Sequence, residues 1–174
     1  MLAAGAGTRF GGPKQLAEVE GTPLVARVCA VAAPWAPLVV LGARADEVRA
    51  AVIDAQVVVA DDWATGQAAS LRAGVAALAD ADAALVLLAD MPFVTRAVCE
   101  AVISAGEGHD AARATYDGRP GHPVLLGRAV LDAVPSLSGD QGARDLLTRF
   151  DVATVDATGL ADPTDIDTPE DLPT

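Results

Sequence analysis

The sequence predicts an α/β fold, with a mostly parallel central sheet and helices on both of its faces. Short runs rich in Val, Leu and Ala alternate with helical stretches, and this alternation is typical of strands joined by crossover helices. The segment Ala84–Leu88 is continuously apolar, as a strand covered on both faces is. Asp117-Gly118, between two strand candidates, is a hairpin turn signal, so we expect one antiparallel pair within the parallel order.

In chain order, apolar runs predict six strands after a short first one: Leu38–Gly42, Val57–Ala60, Ala84–Leu88, Ala111–Thr115, Pro123–Leu126 and Val152–Val155. Helical patterns predict six helices: Pro23–Ala33, Ala45–Ala51, Gln67–Ala79, Arg96–Ala105, Arg128–Ala133 and Ala143–Phe150. Only Met1 to Ala3 precede the first loop, whereas strands usually have about five residues. We therefore expect a truncated first strand between Val- or Leu-rich neighbours, or residues missing upstream of Met1. The length fits a single domain, residues 1–174.

Composition and charge exclude several classes of protein. The net charge is −12, without a basic stripe, which argues against a nucleic-acid-binding surface. The apolar runs are far too short to cross a bilayer, and the first residues lack the basic and apolar regions of a secretory signal. Cys29 and Cys99 fall in apolar helical patterns without metal or redox spacing. They predict buried free thiols and a reducing, cytoplasmic location.

A glycine-rich segment from Leu2 to Lys14 carries the strongest functional signal. Its glycines allow the backbone to approach a ligand closely and to turn amides inward, as in a nest that binds phosphate oxygens. Arg9 and Lys14, the only lysine in the chain, add positive charge at the edge of this loop. The segment fits neither the dinucleotide fingerprint, which needs glycine in place of Phe10, nor the P-loop, which needs lysine in place of Pro13. It therefore predicts a third kind of phosphate loop.

Acidic side chains in two distant segments are candidates for a metal site. Asp90 follows the continuously apolar strand, and ligand sites in open parallel sheets lie beyond the carboxyl ends of strands. Asp165 and Asp167 share one face of an extended segment. Mg²⁺ prefers one or two carboxylates together with phosphates and waters. The alternatives are a helix cap for Asp90, although Thr95 fits that cap better, and a solvated acidic helix start for the later pair.

Two helix starts combine glycine with polar side chains. At the first, Gly66 allows close approach, the Gln67 amide suits a base edge and Ser70 can reach a ribose or phosphate, with simple capping as the alternative. The second, at the last long helix, suits a phosphate at its N-terminus and contains Gly139, Asp140, Gly142 and Arg144. A cap formed by the aspartate is the alternative for this second segment.

The chain has two histidines, in different settings. His122 lies between glycine and proline at a strand start, where its ring can face a cleft or fulfil a structural role; the sequence leaves both open. His109 lies in a polar, glycine-rich loop, and we expect it to be inert.

Taken in order, these motifs resemble those of the MobA-like nucleotidyltransferases along nearly the whole chain. The matching segments are Leu-Ala-Ala-Gly-x-Gly-Thr-Arg-Phe-Gly-x-x-Lys from Leu2, Asp-x-Pro from Asp90, Gly-His-Pro around His122, Gly-Asp-x-Gly-Ala-Arg from Gly139 and Asp-x-Asp-Thr-Pro-Glu-Asp-Leu from Asp165. The Ala-Ala-Gly form is closest to the molybdenum cofactor cytidylyltransferase branch. The resemblance implies a three-layer, Rossmann-like nucleotidyltransferase fold.

The resemblance also implies roles for individual residues. It assigns catalysis to Arg9, Lys14 and Asp90, and the metal to Asp90 with Asp167, which we favour over Asp165. It assigns nucleotide contacts to Leu2, Ala3, Ala4, Gly5, Ala6, Gly7, Thr8, Arg9, Lys14, Gly66, Gln67, Ser70 and Asp90. It assigns the acceptor to His122, Gly139, Asp140, Gly142 and Arg144.

The reaction that these features predict is attack by a phosphate monoester on the α-phosphorus of an NTP, with Mg²⁺ bound and pyrophosphate leaving. Such a monoester is mostly dianionic at neutral pH and needs no general base. By the resemblance, CTP and molybdopterin are the favoured substrates, and a molybdoenzyme is a possible partner. The alternatives are guanylyl transfer, another phosphorylated acceptor, or a non-catalytic maturation protein that delivers the cofactor to a molybdoenzyme.

Overall fold

The computed structural model describes residues 1–78 and 80–173, which form the α/β fold that the sequence predicts. The strands are β1 (Leu2–Ala3), β2 (Glu18–Val19), β3 (Thr22–Pro23), β4 (Leu38–Leu41), β5 (Gln56–Val59), β6 (Ala83–Val86), β7 (Ala111–Tyr116), β8 (Arg119–Gly127) and β9 (Val152–Asp156). The helices are α1 (Leu24–Ala32), α2 (Ala45–Arg49), α3 (Gln67–Ala77), α4 (Arg96–Ala105), α5 (Arg128–Ala133) and α6 (Ala143–Leu147). Ala79, the last residue of one predicted helix, and Thr174 lie outside the described residues.

The first strand is as short as predicted and lies in the middle of the sheet. β1 pairs in parallel with β4, and β4 pairs in parallel with β5. On its other side, the Leu2 amide donates to the Leu87 carbonyl at 2.8 Å, and the Ala89 amide donates to the Leu2 carbonyl at 3.0 Å. The backbone just beyond β6 therefore continues alongside β1, and the strand order is β5-β4-β1-β6-β8-β7-β9.

One strand, β8, runs against the direction of its neighbours. It is antiparallel to both β6 and β7, whereas β9 is parallel to β7. The hairpin between β7 and β8 turns at Asp117 and Gly118, whose φ angles are +49° and +74°, as a tight hairpin turn requires. The predicted antiparallel interruption is thus confirmed, and β8 begins four residues before the predicted Pro123.

The core consists of two helical layers packed on the two faces of the sheet. Alternate strand residues face opposite layers, as the period of a strand requires. Val86 and Ala111 pack with residues of α3, α5 and α6, whereas Leu87 and Ala112 pack with residues of α1 and α4. α2 packs through Val48 against β4 in the same layer as α1.

The predicted bounds of α4 and α5 match the structure, whereas other predicted boundaries differ from the observed ones by a few residues. α6 ends at Leu147 and not at Phe150, and two short strands, β2 and β3, form a hairpin that the sequence pattern does not predict. In residues 1–78 and 80–173, no helix is long and apolar enough to cross a membrane.

Candidate functional site

The glycine-rich loop leaves the sheet after β1 and folds back on itself before a helical turn at Lys14–Leu16. The amides of Gly11 and Gly12 both donate to the carbonyl of Gly7, at 3.0 and 3.2 Å. Gly7 has a φ of +64°, and a Cβ at this position would collide with the carbonyl of Gly12. The loop can therefore close only with glycine at position 7.

Gln15, which the sequence analysis missed, fixes the base of the loop. Its side chain is buried, and its Nε2 donates to the carbonyls of Ala3 and Gly5 at 2.9 and 2.8 Å. These bonds hold the first turn of the loop against the end of β1. The only signal in the sequence is the position of Gln15 directly after the single lysine.

Lys14 joins the two predicted metal ligands. Its Nζ lies 2.6 Å from Asp90 Oδ2 and 2.7 Å from Asp167 Oδ1, and its side chain is only 14% exposed. Arg9 reaches the other Asp167 oxygen, Oδ2, at 2.8 Å, from a side chain that is 72% exposed. Four residues from three distant segments, which the sequence analysis assigned to one centre, thus lie together.

The charges in this cluster stabilise one another. Burial by itself lowers the pKa of Lys14, but its hydrogen bonds to Asp167 and Asp90 and their negative charges outweigh burial, so the pKa of Lys14 is raised. The hydrogen bond from Lys14 lowers the pKa of Asp167, and Arg9 adds to that effect. Both members of the pair therefore remain charged at neutral pH.

Asp167 is positioned by its neighbours in the C-terminal segment. The amide of Ile166 donates to the carbonyl of Asp90 at 2.8 Å, and the Ile166 side chain is fully buried against Val19 and Leu24. The amide of Asp167 donates to the carboxylate of Asp171 at 3.0 Å. The segment therefore places position 167, and not Asp165, beside Asp90.

One of the two carboxylate oxygens of Asp90 has no hydrogen-bond partner among the described residues. Oδ2 binds Lys14, whereas Oδ1 is buried without a hydrogen-bond partner among the described residues. Asp90 does not cap the following helix, because Thr95 accepts a bond from the amide of Val98 at 3.3 Å. A buried, unpartnered carboxylate oxygen beside a second carboxylate is a suitable donor for a divalent cation.

A cleft of about 410 Å³ lies at the carboxyl ends of β1 and β6. Nine of the predicted nucleotide-contacting residues line it: Leu2, Ala3, Ala4, Gly5, Lys14, Gly66, Gln67, Ser70 and Asp90. Ala6, Gly7, Thr8 and Arg9 are not among the lining residues, and Arg9 connects to the cleft through Asp167. The sequence analysis did not assign Trp63 and Ala64, which complete one wall.

The two predicted glycine-containing helix starts are packed against each other. Gly66 has a φ of +126°, and a Cβ there would collide with the backbone of Gly139. The amide of Ala68 donates to the carbonyl of Gly139 at 3.1 Å, and Gly142 lies against the side chain of Gln67. The predicted acceptor loop therefore borders the predicted nucleotide cleft.

Within that loop, Asp140 does not cap α6. The cap residue is Gly142, whose amide donates to Asp145 Oδ2 at 2.8 Å. Asp140 and Arg144 are both exposed. The alternative that Asp140 serves as a helix cap is therefore wrong.

His122 lines a second pocket of about 340 Å³, which shares Leu88 with the first cleft. Asp165 also lines this second pocket. Burial lowers the pKa of His122 to about 4; the charge of Arg113 adds to this effect, and that of Asp90 opposes it. His122 is therefore neutral at pH 7, whereas His109 lies on the surface with its Nδ1 2.8 Å from Asp151.

Arg113 is a second polar residue that the sequence analysis missed. It interrupts the apolar run of β7, and its Nε is buried without a hydrogen-bond partner in the described part of the chain. Burial lowers the pKa of Arg113, and the charge of Arg144 lowers it further. A single arginine within an otherwise strand-like run is the only signal in the sequence.

The chain matches a known family model and resembles several solved structures. The family model described as the MobA-like NTP transferase domain matches residues 1–155. Rv0371c from Mycobacterium tuberculosis H37Rv, whose crystal structure is known, is 33% identical in sequence to this chain. The two structures align over 98% of this chain and 91% of the Rv0371c chain, with a TM-score of 0.86. Rv0371c has also been crystallised in complex with manganese, in a structure with a TM-score of 0.81.

Two further relatives are more distant or only partly comparable. Molybdopterin-guanine dinucleotide biosynthesis protein A from Archaeoglobus fulgidus has a TM-score of 0.76 over 98% of this chain and 92% of its own, and its 24% identity supports the fold alone. The bifunctional protein GlmU from Oenococcus oeni is 32% identical over 133 residues. That match covers 75% of this chain but only 30% of the relative.

Proposed function

The chain belongs to the MobA-like NTP transferase domain family, and we propose that it transfers a nucleoside monophosphate from an NTP to a phosphorylated acceptor. The observation that carries this proposal is that the start of a glycine-rich loop, Lys14 and Asp90 line one cleft, and that Lys14 binds both Asp90 and Asp167. A site of this composition suits a triphosphate with its divalent cation.

The proposed reaction forms one bond and breaks another at the α-phosphorus. An oxygen of the acceptor phosphate attacks this phosphorus, the bond to the bridging oxygen of the β-phosphate breaks, and its electron pair leaves on pyrophosphate. A phosphate monoester is largely dianionic at pH 7, so no side chain has to remove a proton. His122, with its pKa of about 4, is neutral in our proposal and serves as a wall of the acceptor pocket.

The residues of the cleft have distinct tasks in this proposal. Backbone amides of the loop, with Arg9 and Lys14, hold the phosphates and balance the charge that develops on the leaving pyrophosphate. Gln67 and Ser70 contact the base and ribose, and the backbone around Leu2 supports them. Binding in a fixed geometry supplies much of the rate enhancement, because the two reactants then meet without further loss of freedom.

Asp90 and Asp167 are the residues that would hold Mg²⁺. The unpartnered Asp90 Oδ1 and the adjacent Asp167 carboxylate form a donor set that fits this cation. When bound, Mg²⁺ neutralises charge on the phosphates. The Lys14 ammonium lies between these carboxylates, and with Mg²⁺ held there it would be available to a phosphate oxygen.

For the substrates, we propose CTP and molybdopterin. The Ala-Ala-Gly form of the loop is closest to the cytidylyltransferase branch of the family, and this resemblance favours CTP. Guanylyl transfer or another phosphorylated acceptor is the alternative enzymatic activity. A non-catalytic delivery protein for a molybdoenzyme is less consistent with the cluster of Lys14, Asp90 and Asp167. We also propose a cytoplasmic location, because Cys29 and Cys99 are buried free thiols.

The test begins with binding of each of the four NTPs in the presence of Mg²⁺, followed by pyrophosphate release with molybdopterin. We expect CTP to bind most tightly and pyrophosphate to appear only with the acceptor. Asp90→Asn should reduce the rate of release at least a hundredfold. Asp132→Asn, which makes the same change in an exposed pair with Arg128 on α5, is the matched control and should leave the rate unchanged. Failure of all four NTPs to bind would reject the proposal.

A further inference from the structure

Arg72 of α3 connects two segments that border the nucleotide cleft. Its Nη1 donates to the carbonyl of Leu137 at 2.7 Å, and its Nη2 donates to Asp62 Oδ2 at 3.0 Å. Leu137 begins the stretch 137–142, here called the acceptor loop, which contains the glycines predicted to bind the acceptor. Asp62 begins the stretch 62–66, here called the wall segment. One guanidinium, the Arg72 bridge, therefore joins the nucleotide side of the proposed site to its acceptor side.

The wall segment contributes to the cleft through Trp63 and Ala64, which line it. The amide of Thr65 donates to the carbonyl of Asp62 at 2.8 Å, and this bond closes the helical turn that carries both lining residues. Arg72 binds the carboxylate of Asp62. The bridge thus anchors the first residue of the turn that forms this wall.

The acceptor loop is held together by its own hydrogen bonds and is hydrogen-bonded to α3 at two points. Within the loop, the Ser138 amide donates to Gln141 Oε1 at 3.0 Å, and the Gln141 amide donates to the Ser138 carbonyl at 3.2 Å. The middle of the loop accepts a bond from the amide of Ala68, at the carbonyl of Gly139. The start of the loop accepts the bond from Arg72. These two attachments together set the orientation of the loop relative to α3.

The bridge contributes more to geometry than to stability. The side chains of Arg72 and Asp62 are 34% and 55% exposed, and ion pairs at such exposed positions contribute little to folding. A guanidinium is planar and presents its donors in a rigid fork, so partners on two of its nitrogens fix direction as well as distance. In residues 1–78 and 80–173, Arg72 is the only side chain with hydrogen bonds to both segments. We therefore expect variants of Arg72 to fold.

We propose that Arg72 is a positioning residue, which holds the acceptor loop at a fixed distance from the wall of the nucleotide cleft. This inference rests on the proposed transfer to a phosphorylated acceptor. Arg72 does not line the cleft, and it acts through Asp62 and Leu137. Attack on the α-phosphorus requires the acceptor oxygen roughly in line with the bond that breaks, and a misplacement of about 1 Å can lower a rate about a hundredfold. Loss of the bridge should therefore reduce kcat more than it weakens the binding of either substrate.

The kinetic test compares Arg72→Met with the matched control Arg128→Met. Arg128 also joins a backbone carbonyl, that of Ala81, to a carboxylate, that of Asp132, each at 3.1 Å. Ala81 precedes β6, at the end of the sheet opposite the cleft. In Arg72→Met we expect kcat at saturating nucleotide and acceptor to fall at least tenfold, with each KM within about threefold of the parent. Arg128→Met should leave kcat and both KM values unchanged.

Asp62 supplies a second pair of variants on the other side of the bridge. Asp62→Ala removes the oxygen that accepts the bond from Arg72, and its kcat should fall as that of Arg72→Met does. Asp62→Asn removes the charge but keeps an oxygen that can accept this bond, so it should recover most of the kcat that Asp62→Ala loses. This pair tests the bridge even if Arg72→Met does not fold.

Hydrogen exchange of the backbone amides measures the bridge without turnover. In both Arg72→Met and Asp62→Ala, exchange at the Gln141 amide should rise, although among the described residues Asp62 has no hydrogen bond to the acceptor loop. Unchanged exchange in that loop, or a kcat of Arg72→Met within about twofold of the parent, would overturn the inference. If the parent binds no NTP with Mg²⁺ or releases no pyrophosphate, the proposed function fails instead, and exchange still shows whether Arg72 joins the two segments.

Discussion

Removal of the Lys14 ammonium is the most direct test of the carboxylate cluster. In Lys14→Met, Asp90 and Asp167 lose a shared partner at 2.6 and 2.7 Å. The exposed guanidinium of Arg9 remains, and within residues 1–78 and 80–173 its ion pair is with Asp167 and not with Asp90. Two carboxylates that face each other without a bridging cation should destabilise the folded state.

The size of this effect follows from the burial of the three groups. Loss of one partner from a fully buried ion pair costs about 3–5 kcal/mol, whereas an exposed pair contributes about 0–1 kcal/mol. The Lys14 side chain is 14% exposed and the two carboxylates are 23% and 24% exposed, so the cluster lies between these limits. We expect Lys14→Met to lower the free energy of unfolding by about 2 kcal/mol.

The assay is urea unfolding in EDTA, repeated with MgCl₂ or MnCl₂. In the parent a divalent cation must displace the ammonium, whereas in Lys14→Met the carboxylates are free to receive it. The cation should therefore restore about 1.4 kcal/mol to the variant at tenfold excess over its dissociation constant, and less to the parent. Asp132→Asn weakens an exposed pair with Arg128 on α5 and should leave the free energy of unfolding nearly unchanged, without a response to the cation.

Two results would refute this reasoning. A Lys14→Met variant as stable as the parent in EDTA would show that the two short contacts contribute nothing net to folding. An equal stabilisation of parent and variant by the cation would show that the ammonium and the cation do not compete for the same carboxylates.

Three further predictions follow from other parts of the structure. Gly7→Ala should destabilise the loop and abolish nucleotide binding, because a Cβ at this position has no space. In Gly5→Ala the added Cβ meets no neighbouring atom, so this variant should fold normally and only bind the nucleotide more weakly. Circular dichroism reports the folding of each variant, and equilibrium dialysis measures nucleotide binding. Burial lowers the pKa of His122 to about 4 from its usual 6.5. The free energy of unfolding should therefore fall by up to about 1.4 kcal/mol per pH unit as the pH falls from 6.5 to 4. His122→Asn should reduce this pH dependence, which urea unfolding at a series of pH values measures. Burial raises the pKa of the Cys29 thiol, and raises that of Cys99 to about 11, so a thiol reagent should react with neither until urea unfolds the protein.

The regular elements of the fold could be predicted because their signals are local. The predicted bounds of α4 and α5 agree with the structure, since each apolar stripe begins and ends near a turn or cap. The start of β8 could not be predicted, because Pro120 and Gly121 argue against a strand and only pairing with β7 makes the segment extended. In such cases the length of a strand depends on the neighbouring strand with which it pairs.

The residues of the candidate site also include some that local sequence predicts and others that only tertiary structure reveals. Lys14, Asp90 and Asp167 could be predicted because each belongs to a motif with its own spacing. Gln15 and Arg113 belong to none, and their importance arises only when the loop folds onto β1 and when β7 aligns with β8. Contacts of this kind depend on strand register, which no short stretch of sequence encodes.

The arrangement of charges bears on how so acidic a chain would accept the triphosphate that we propose as its substrate. With a net charge of −12, it repels anions at long range, and the Lys14 ammonium is bound by two carboxylates. If Lys14 turned to a phosphate without replacement, it would leave Asp90 and Asp167 facing each other and the triphosphate. Asp90 and Asp167 would hold the divalent cation that we propose for the nucleotide, and its charge would replace that of the ammonium beside them. In the proposed transferase, the cluster would thus favour the metal complex of the nucleotide over the free triphosphate.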